Sequence, residues 1–309
     1  MHIPPAIMGC HPLSVEEATM NGQNYQLHHL CIYEKNPRDA MWSWLRWYHA
    51  IPAYYWEGYA DMHQTGEGGV DYTFLACGGP FQMQLEAPPY QFEYERKWFA
   101  HHDSAINHVC WIVPNALETV EHLESNGATV AMPYEEFGET YNGFVAIDTE
   151  GRWIEVMEYV GGFKTPDVEF HPVGHVGLQT LGVVQLCNDV DGQVEWYTDV
   201  LGQRILHDAR SDNDGLTYLV DHTYDGRQCV NVMATPSTDA ERALMERHGP
   251  VISSVLYHAD NLDSAYADAV AAGFSELEAP ATDDRIGCRT GYLQEPSGNI
   301  VQIRDRLTA

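Results

Sequence analysis

The sequence predicts an α+β protein built from four βαβββ units paired into two domains. Three observations carry that expectation. A short apolar segment of strand character recurs four times in the 309 residues, at 27–32, 106–111, 181–186 and 252–257. Each copy is followed by a polar turn and a helix-like stretch, clearest at 115–123 and 261–270. Finally, the length exceeds what a single core usually reaches, so two domains are expected.

The elements follow in order. Units are expected near 25–90, 104–160, 179–237 and 250–306. The helices of the second and fourth units run into glycine, in SNGATV and AAGFSE, as a left-handed C-cap would. Two units close on matched signatures. These are Asp148–Thr149–Glu150–Gly151–Arg152–Trp153–Ile154–Glu155 and Glu295–Pro296–Ser297–Gly298–Asn299–Ile300–Val301–Gln302, each a turn running into a final strand. The Gly- and Pro-bearing stretch that begins at Gly161 reads as a linker. The expected organisation is an N-terminal arm at 1–22, a first domain at 23–162, a linker at 163–178 and a second domain at 179–309.

Composition excludes several functions. Acidic residues number 45 against 16 basic ones, for a net charge of −29 with three lysines, so phosphate-rich nucleic acid is not an expected partner. No run of about 18 apolar residues suggests a membrane span. The first twenty residues lack the basic flank and apolar stretch of a signal peptide. The seven cysteines, at 10, 31, 77, 110, 187, 229 and 288, include no CxxC pair. Reduced thiols in a cytoplasmic protein are the expectation.

The D-x-x-G-x-x-I-E ending at 148–155, the segment EWYTDVLGQRIL at 195–206 and the four-unit layout together resemble the vicinal oxygen chelate superfamily. That group holds glyoxalase I, methylmalonyl-CoA epimerase, fosfomycin-resistance proteins and type I extradiol dioxygenases. The resemblance covers nearly the whole chain. It implies paired βαβββ modules curled into half-barrels, with metal ligands on the first and last strands of paired modules.

Carried over residue by residue, the resemblance points to His29, His108 and Glu155 as metal ligands. The repeat supports the register, because His29–Leu30–Cys31 matches His108–Val109–Cys110. Strand alternation would turn His28 to the opposite face from His29. On the last strand of unit one the family position falls on Gln84, with a slip to Glu86 left open. Two imidazoles, a carboxylate and an amide oxygen suit one divalent ion per chain, Fe(II), Mn, Co, Ni or Zn. The matching positions in the second domain read Gly182, Asn231, Ser254 and Gln302, so that half is expected to hold no metal.

Chemistry is left between classes. The His, Gln, His, Glu order resembles methylmalonyl-CoA epimerase. It implies an isomerase, epimerase or lyase acting on a non-phosphorylated carbonyl, hydroxyketone or aromatic substrate, with Glu155 or Glu86 moving a proton. A type I extradiol-like Fe(II) dioxygenase is the alternative. Against it, the tyrosine of that class falls here on Val145. A small-molecule binding protein without turnover is the third reading. His102 is a further acid–base candidate. The aromatic stretch from Met41 to Met62 and a possible lid at 89–103 are expected to shape the pocket. Partners beyond a small substrate are not expected, except that a homo-oligomer is possible.

Overall fold

A computed structural model of the chain describes residues 25–37, 39–40, 51–57, 70–75, 82–88, 93–137, 141–160, 178–210, 215–222, 228–283 and 287–305. The expected arm at 1–22, linker residues 163–177, and most of the aromatic stretch at 41–62 lie outside these residues. Among the described residues, no helix is long and apolar enough to cross a membrane.

The fold is α+β, with two eight-stranded mixed sheets of identical strand order. The first holds β1 (Gln26–Glu34), β2 (Ile51–Glu57), β3 (Val70–Leu75), β4 (Gln82–Glu86), β5 (Ser104–Ile112), β6 (Thr129–Phe137), β7 (Tyr141–Ile147) and β8 (Trp153–Tyr159). The second holds β9 (Leu178–Leu186), β10 (Arg204–Asp208), β11 (Leu216–His222), β12 (Gln228–Ala234), β13 (Val251–Ala259), β14 (Ser275–Asp283), β15 (Cys288–Gln294) and β16 (Ile300–Asp305). Their orders are β2-β3-β4-β1-β5-β8-β7-β6 and β10-β11-β12-β9-β13-β16-β15-β14. In each sheet the first strands of two units pair antiparallel at the centre, and each also pairs parallel with the last strand of its own unit.

Helices occupy the crossovers. α1 (Glu93–Phe99) joins the first two units, and α2 (Ala116–Ser125) crosses within the second. α3 (Val190–Asp199), α4 (Asp239–His248) and α5 (Leu262–Ala271) play corresponding roles in the second sheet. α2 and α5 start alike, with Asn115 and Asn261 each accepting a bond from the third residue on, Glu118 and Ser264. Both stop at a glycine of positive φ, Gly127 at 90° and Gly273 at 107°, as the sequence led us to expect. The segment at 89–103, expected as a lid, is in its described part the short helix α1, whose Trp98 stacks on His248 at 4.1 Å.

Alternation sorts the first sheet into two faces. Leu30, Ile32, Met83, Leu85, Val109, Trp111, Ile154 and Val156 turn to one side and share a continuous core with Val183, Leu219, Met233 and Tyr257 of the second sheet. Buried Trp111 and Tyr197 meet edge-on across the halves. Arg152 is buried too. It pairs with Asp148 at 2.9 Å and Glu150 at 3.1 Å and donates to the Leu186 carbonyl and to Gln193. The other face of the first sheet carries His29, Cys31, His108, Cys110 and Glu155.

Both central pairings are interrupted by bulges at matching places. His29 faces Cys110 but Leu27 faces Trp111, so His28 is squeezed out of register. Cys31 faces His108 but Ile32 faces Ile106, which squeezes out Asn107. In the second sheet the extra residues are Leu181 and Ser253. A bulge lets two neighbouring side chains share a face that strict alternation would divide.

Gly182 of β9 stands opposite Val230 of β12. A Cβ there would lie 1.7 Å from the Val230 carbonyl oxygen, so the two backbones would have to part. Gly182→Ala is therefore expected to lose at least the ~1–3 kcal/mol of ordinary over-packing, read as a lower urea midpoint. An unchanged midpoint would contradict this strand approach.

Candidate metal centre

The pairing register assembles the candidate site. β1 and β5 run antiparallel, so His29 and His108 sit diagonally across the central seam, and β8 alongside β5 brings Glu155 beside Cys110. His29 Nε2 lies 3.1 Å and His108 Nε2 3.3 Å from the same Glu155 Oε2. Both imidazoles are buried, while the Glu155 side chain keeps 20% of its surface exposed, so the cluster opens toward solvent at the carboxylate. Neither Nε2 is aligned for a hydrogen bond, despite these short distances.

Buried polar atoms are normally satisfied. Two imidazole nitrogens that converge on one carboxylate oxygen form a set that could hold one ion. Bonds of about 2.0–2.2 Å to one ion set neighbouring ligand atoms about 3.0–3.4 Å apart. The observed separations fall in that range.

Protonation states agree. Burial pushes His29 below the ordinary imidazole value, outweighing the pull of Glu155. Burial alone would raise Glu155, but the imidazoles of His108 and His29 hold it well below the usual carboxylate range. Burial, followed by the charge of Glu155, keeps the Cys110 thiol protonated. A neutral imidazole and an ionised carboxylate are the forms that ligate. This donor set fits a divalent ion of the Mn-to-Zn series.

The structure also corrects the expected orientation of His28. The bulge turns it beside His29 instead of away from it. Its Nδ1 lies 2.8 Å from His29 Nδ1, and its Nε2 lies 2.9 Å from the Tyr159 hydroxyl. Asn107 plays the same part for His108, with its Oδ1 2.7 Å from His108 Nδ1. The sequence reasoning missed His28, Asn107 and Tyr159 as site residues. One signal was present, since His28–His29 and Asn107–His108 are matched polar pairs in the repeat. His28, His29 and Cys110 also lie close enough to suggest a second metal group. The 2.8 Å separation of the two Nδ1 atoms is a hydrogen-bond distance.

Of the other expected site residues, Gln84 pairs with Cys31 as Glu155 pairs with Cys110. It is therefore the symmetry mate of Glu155. Glu86 sits one pleat further along the same face, buried, and its Oε2 lies 3.5 Å from the Cys31 sulfur. His102 is not gathered into the cluster. Its Nε2 lies 3.1 Å from His248 Nε2, and its ring lies against Trp98. A cavity of about 1060 Å³ opens there between the halves, lined in part by Arg96, Trp98, His101, Arg152, Arg247 and His248. It does not include the cluster.

In the second sheet, Gly182, Ser254 and Gln302 occupy the positions of His29, His108 and Glu155. The fourth position is Val232, which corrects Asn231. Asn231 turns to the other face and bonds with Gln185 and Gln203. Counting along an unpaired strand is easily one residue out, and one residue changes the face. Gln302 donates to Glu241 of α4, and Val184, Val232 and Leu256 pack as an apolar cluster.

Comparison with known proteins gives a family-model match to part of the chain. Residues 174–303 match the model of the Glyoxalase/Bleomycin resistance protein/Dioxygenase superfamily. No curated protein sequence matches the chain. Among solved structures, the chain is similar to a Mn(II)-bound glyoxalase from Novosphingobium aromaticivorans, at 14% identity and TM-score 0.56, covering 91% of this chain and 82% of that one. It is also similar to a 4-hydroxymandelate synthase variant from Streptomyces coelicolor, at 10% identity and TM-score 0.60, covering 92% and 93%. A third is 2,2',3-trihydroxybiphenyl 1,2-dioxygenase from Sphingomonas wittichii strain RW1, at 15% identity and TM-score 0.56, covering 91% and 90%. These likenesses are likenesses of fold.

Two outcomes are expected. Protein purified without chelators should carry about one divalent ion per chain by elemental analysis, lost in His108→Ala and kept in Ser254→Ala. Metal retained in His108→Ala would rule the site out. The second concerns acid. Burial, then the neighbouring His29, lowers His28 from 6.5 to about 3. The unfolded chain thus takes up a proton below about pH 6.5 that the folded chain refuses until about pH 3, and stability falls across that window. At pH 5 the cost is about 2 kcal/mol, so metal-free His28→Gln should lose less stability than wild type between pH 7.5 and 5 in urea titrations. Equal losses would show that His28 titrates normally.

Proposed function

We propose, from the match of residues 174–303 to the Glyoxalase/Bleomycin resistance protein/Dioxygenase superfamily model and from the cluster in the other half, that the chain is a divalent-metal-dependent enzyme centred on His29, His108 and Glu155. The carrying observation is the convergence of two unbonded imidazole nitrogens on one carboxylate oxygen. We propose Gln84 as a fourth ligand, because it holds the place of Glu155 in the first unit. The reaction is an isomerisation, epimerisation or elimination beside a carbonyl, on a non-phosphorylated carbonyl, hydroxyketone or aromatic substrate.

A bound divalent ion would supply Lewis acidity, polarising a substrate oxygen and lowering the cost of an adjacent carbanion. The chain's own residues do the rest. His29 and His108 present their Nε2 atoms from central strands, so little reorganisation is needed. Glu155 would be committed to the ion together with both imidazoles. Glu86, on the same face, is the carboxylate that removes a proton from the substrate carbon and returns it. Its burial beside the Cys31 sulfur favours a proton-transfer role over a surface one.

A second reading has its own observation. Two histidines and one carboxylate are the facial triad of Fe(II) oxygenases, and those residue types converge here. Small hydroxyketones and aryl ketones incubated in D₂O with Mn-, Co- or Ni-loaded protein separate the two without knowledge of the product. Enolisation would place deuterium on the α-carbon without oxygen, and Glu86→Gln would slow it by about 10²–10⁴-fold. Absence of exchange, together with oxygen consumption on adding catechol to Fe(II)-loaded protein, would overturn the isomerase or lyase reading for the dioxygenase.

A further inference from the structure

The two candidate ligand imidazoles are each met by the side chain immediately before them in sequence. Asn107 Oδ1 faces His108 Nδ1 at 2.7 Å. An amide oxygen only accepts, so His108 carries its proton on Nδ1 and its Nε2 is left as a lone pair aimed at Glu155. His28 Nδ1 faces His29 Nδ1 at 2.8 Å, and one proton lies between them. His28 is held in turn by the Tyr159 hydroxyl at 2.9 Å from its Nε2.

We propose that His28 and Tyr159 are positioning residues for the metal centre. His29 donates from Nδ1–H to His28 Nδ1, and His28 donates from Nε2–H to the Tyr159 oxygen. That assignment leaves His29 Nε2 bare, as Asn107 leaves His108 Nε2 bare, so the two ligands match. The inference rests on the reading of His29 and His108 as metal ligands, and it deepens that reading.

The second sheet is the internal control. The bulges persist there, but the extra residues are Leu181 and Ser253. Leu181 has no hydrogen-bonding side chain, and Ser253 donates only to the backbone carbonyl of Val184 at 3.3 Å. A polar residue is therefore not needed to make the bulge. His28 and Asn107 are polar in the sheet where the following residue is histidine, and their equivalents hold nothing where that residue is Gly182 or Ser254. An outer hydrogen bond that fixes tautomer and ring orientation is a general requirement of histidine ligation. Here the fold meets it by placing ligand and support on adjacent residues.

The tests are a tautomer measurement and an affinity measurement. In metal-free protein labelled with ¹⁵N-histidine, long-range ¹H–¹⁵N spectra should show both His29 and His108 protonated on Nδ1. With Zn²⁺ as probe and a fluorescent chelator as competitor, His28→Phe should weaken binding about 10–100-fold. His28→Gln should restore it to within about threefold, because its amide oxygen accepts as that of Asn107 does. Tyr159→Phe should weaken binding several-fold and mix the His29 tautomers. Protonation of His29 on Nε2 in the wild type, or unchanged Zn²⁺ affinity in folded His28→Phe, overturns the proposal. If His28→Phe does not fold, Tyr159→Phe decides. Tyr159 is part-buried at a strand end, and unchanged affinity with an unchanged tautomer there overturns it equally. A wild type that binds no Zn²⁺ removes the metal reading, while the tautomer spectra still decide the hydrogen-bond assignment on their own.

Discussion

The antiparallel pairing of β1 with β5, with its two bulges, is the constraint on which the rest depends. It joins two units into one sheet and sets His29 diagonally across from His108. It also turns His28 and Asn107 onto the side of the residues that follow them. The parallel pairing of β5 with β8 then brings Glu155 within about 3 Å of both imidazoles. A one-residue slip at the seam would move every one of these groups to the opposite face. The apolar residues between them, Leu30 and Val109 among others, are buried at 1–3% and oppose such a slip. The core therefore fixes the geometry of the site.

Much of this was legible in the sequence. Four apolar segments followed by helical stretches gave the repeat, because strand and helix periodicities are written directly in side-chain order. Helix ends at Gly127 and Gly273 were legible because a left-handed cap favours glycine. The triad of His29, His108 and Glu155 followed from matched positions in the repeat and the family resemblance. What was hidden is what pairing decides. Alternation holds only while a strand stays in register, and a bulge leaves no mark on the bulged strand alone. For that reason His28 was expected on the wrong face and Asn231 was taken for Val232. His102 sits near β5 in sequence, but its partners His248 and Trp98 are set by the packing of α1 against α4.

The two halves separate fold from chemistry. Residues 174–303, not the histidine-bearing half, match the superfamily model. That region keeps the features the scaffold needs, including the buried helix residues Val194, Trp196 and Tyr197. Its concave face is filled instead of polar. Val184, Val232 and Leu256 pack together, and Gln302 is tied to Glu241. Similarity to a family therefore follows the core, whereas the candidate site is carried by a few polar positions that the core tolerates.

That tolerance has an energetic side. Burying two imidazoles and a carboxylate without aligned hydrogen bonds between them is costly, since each unsatisfied buried polar group forfeits about 1–3 kcal/mol. The second half shows how cheaply the scaffold avoids this, with glycine, serine and an amide at the same three places. A sheet that retains the expensive arrangement on its most constrained strands, with Asn107 and His28 set beside each imidazole, is organised for something that satisfies those atoms. A divalent ion would do so by binding those same lone pairs. The second half then contributes in another way. Trp111 against Tyr197 and Arg152 against Leu186 bind it to the first through one core, and the stability gained there offsets the strain of the polar cluster.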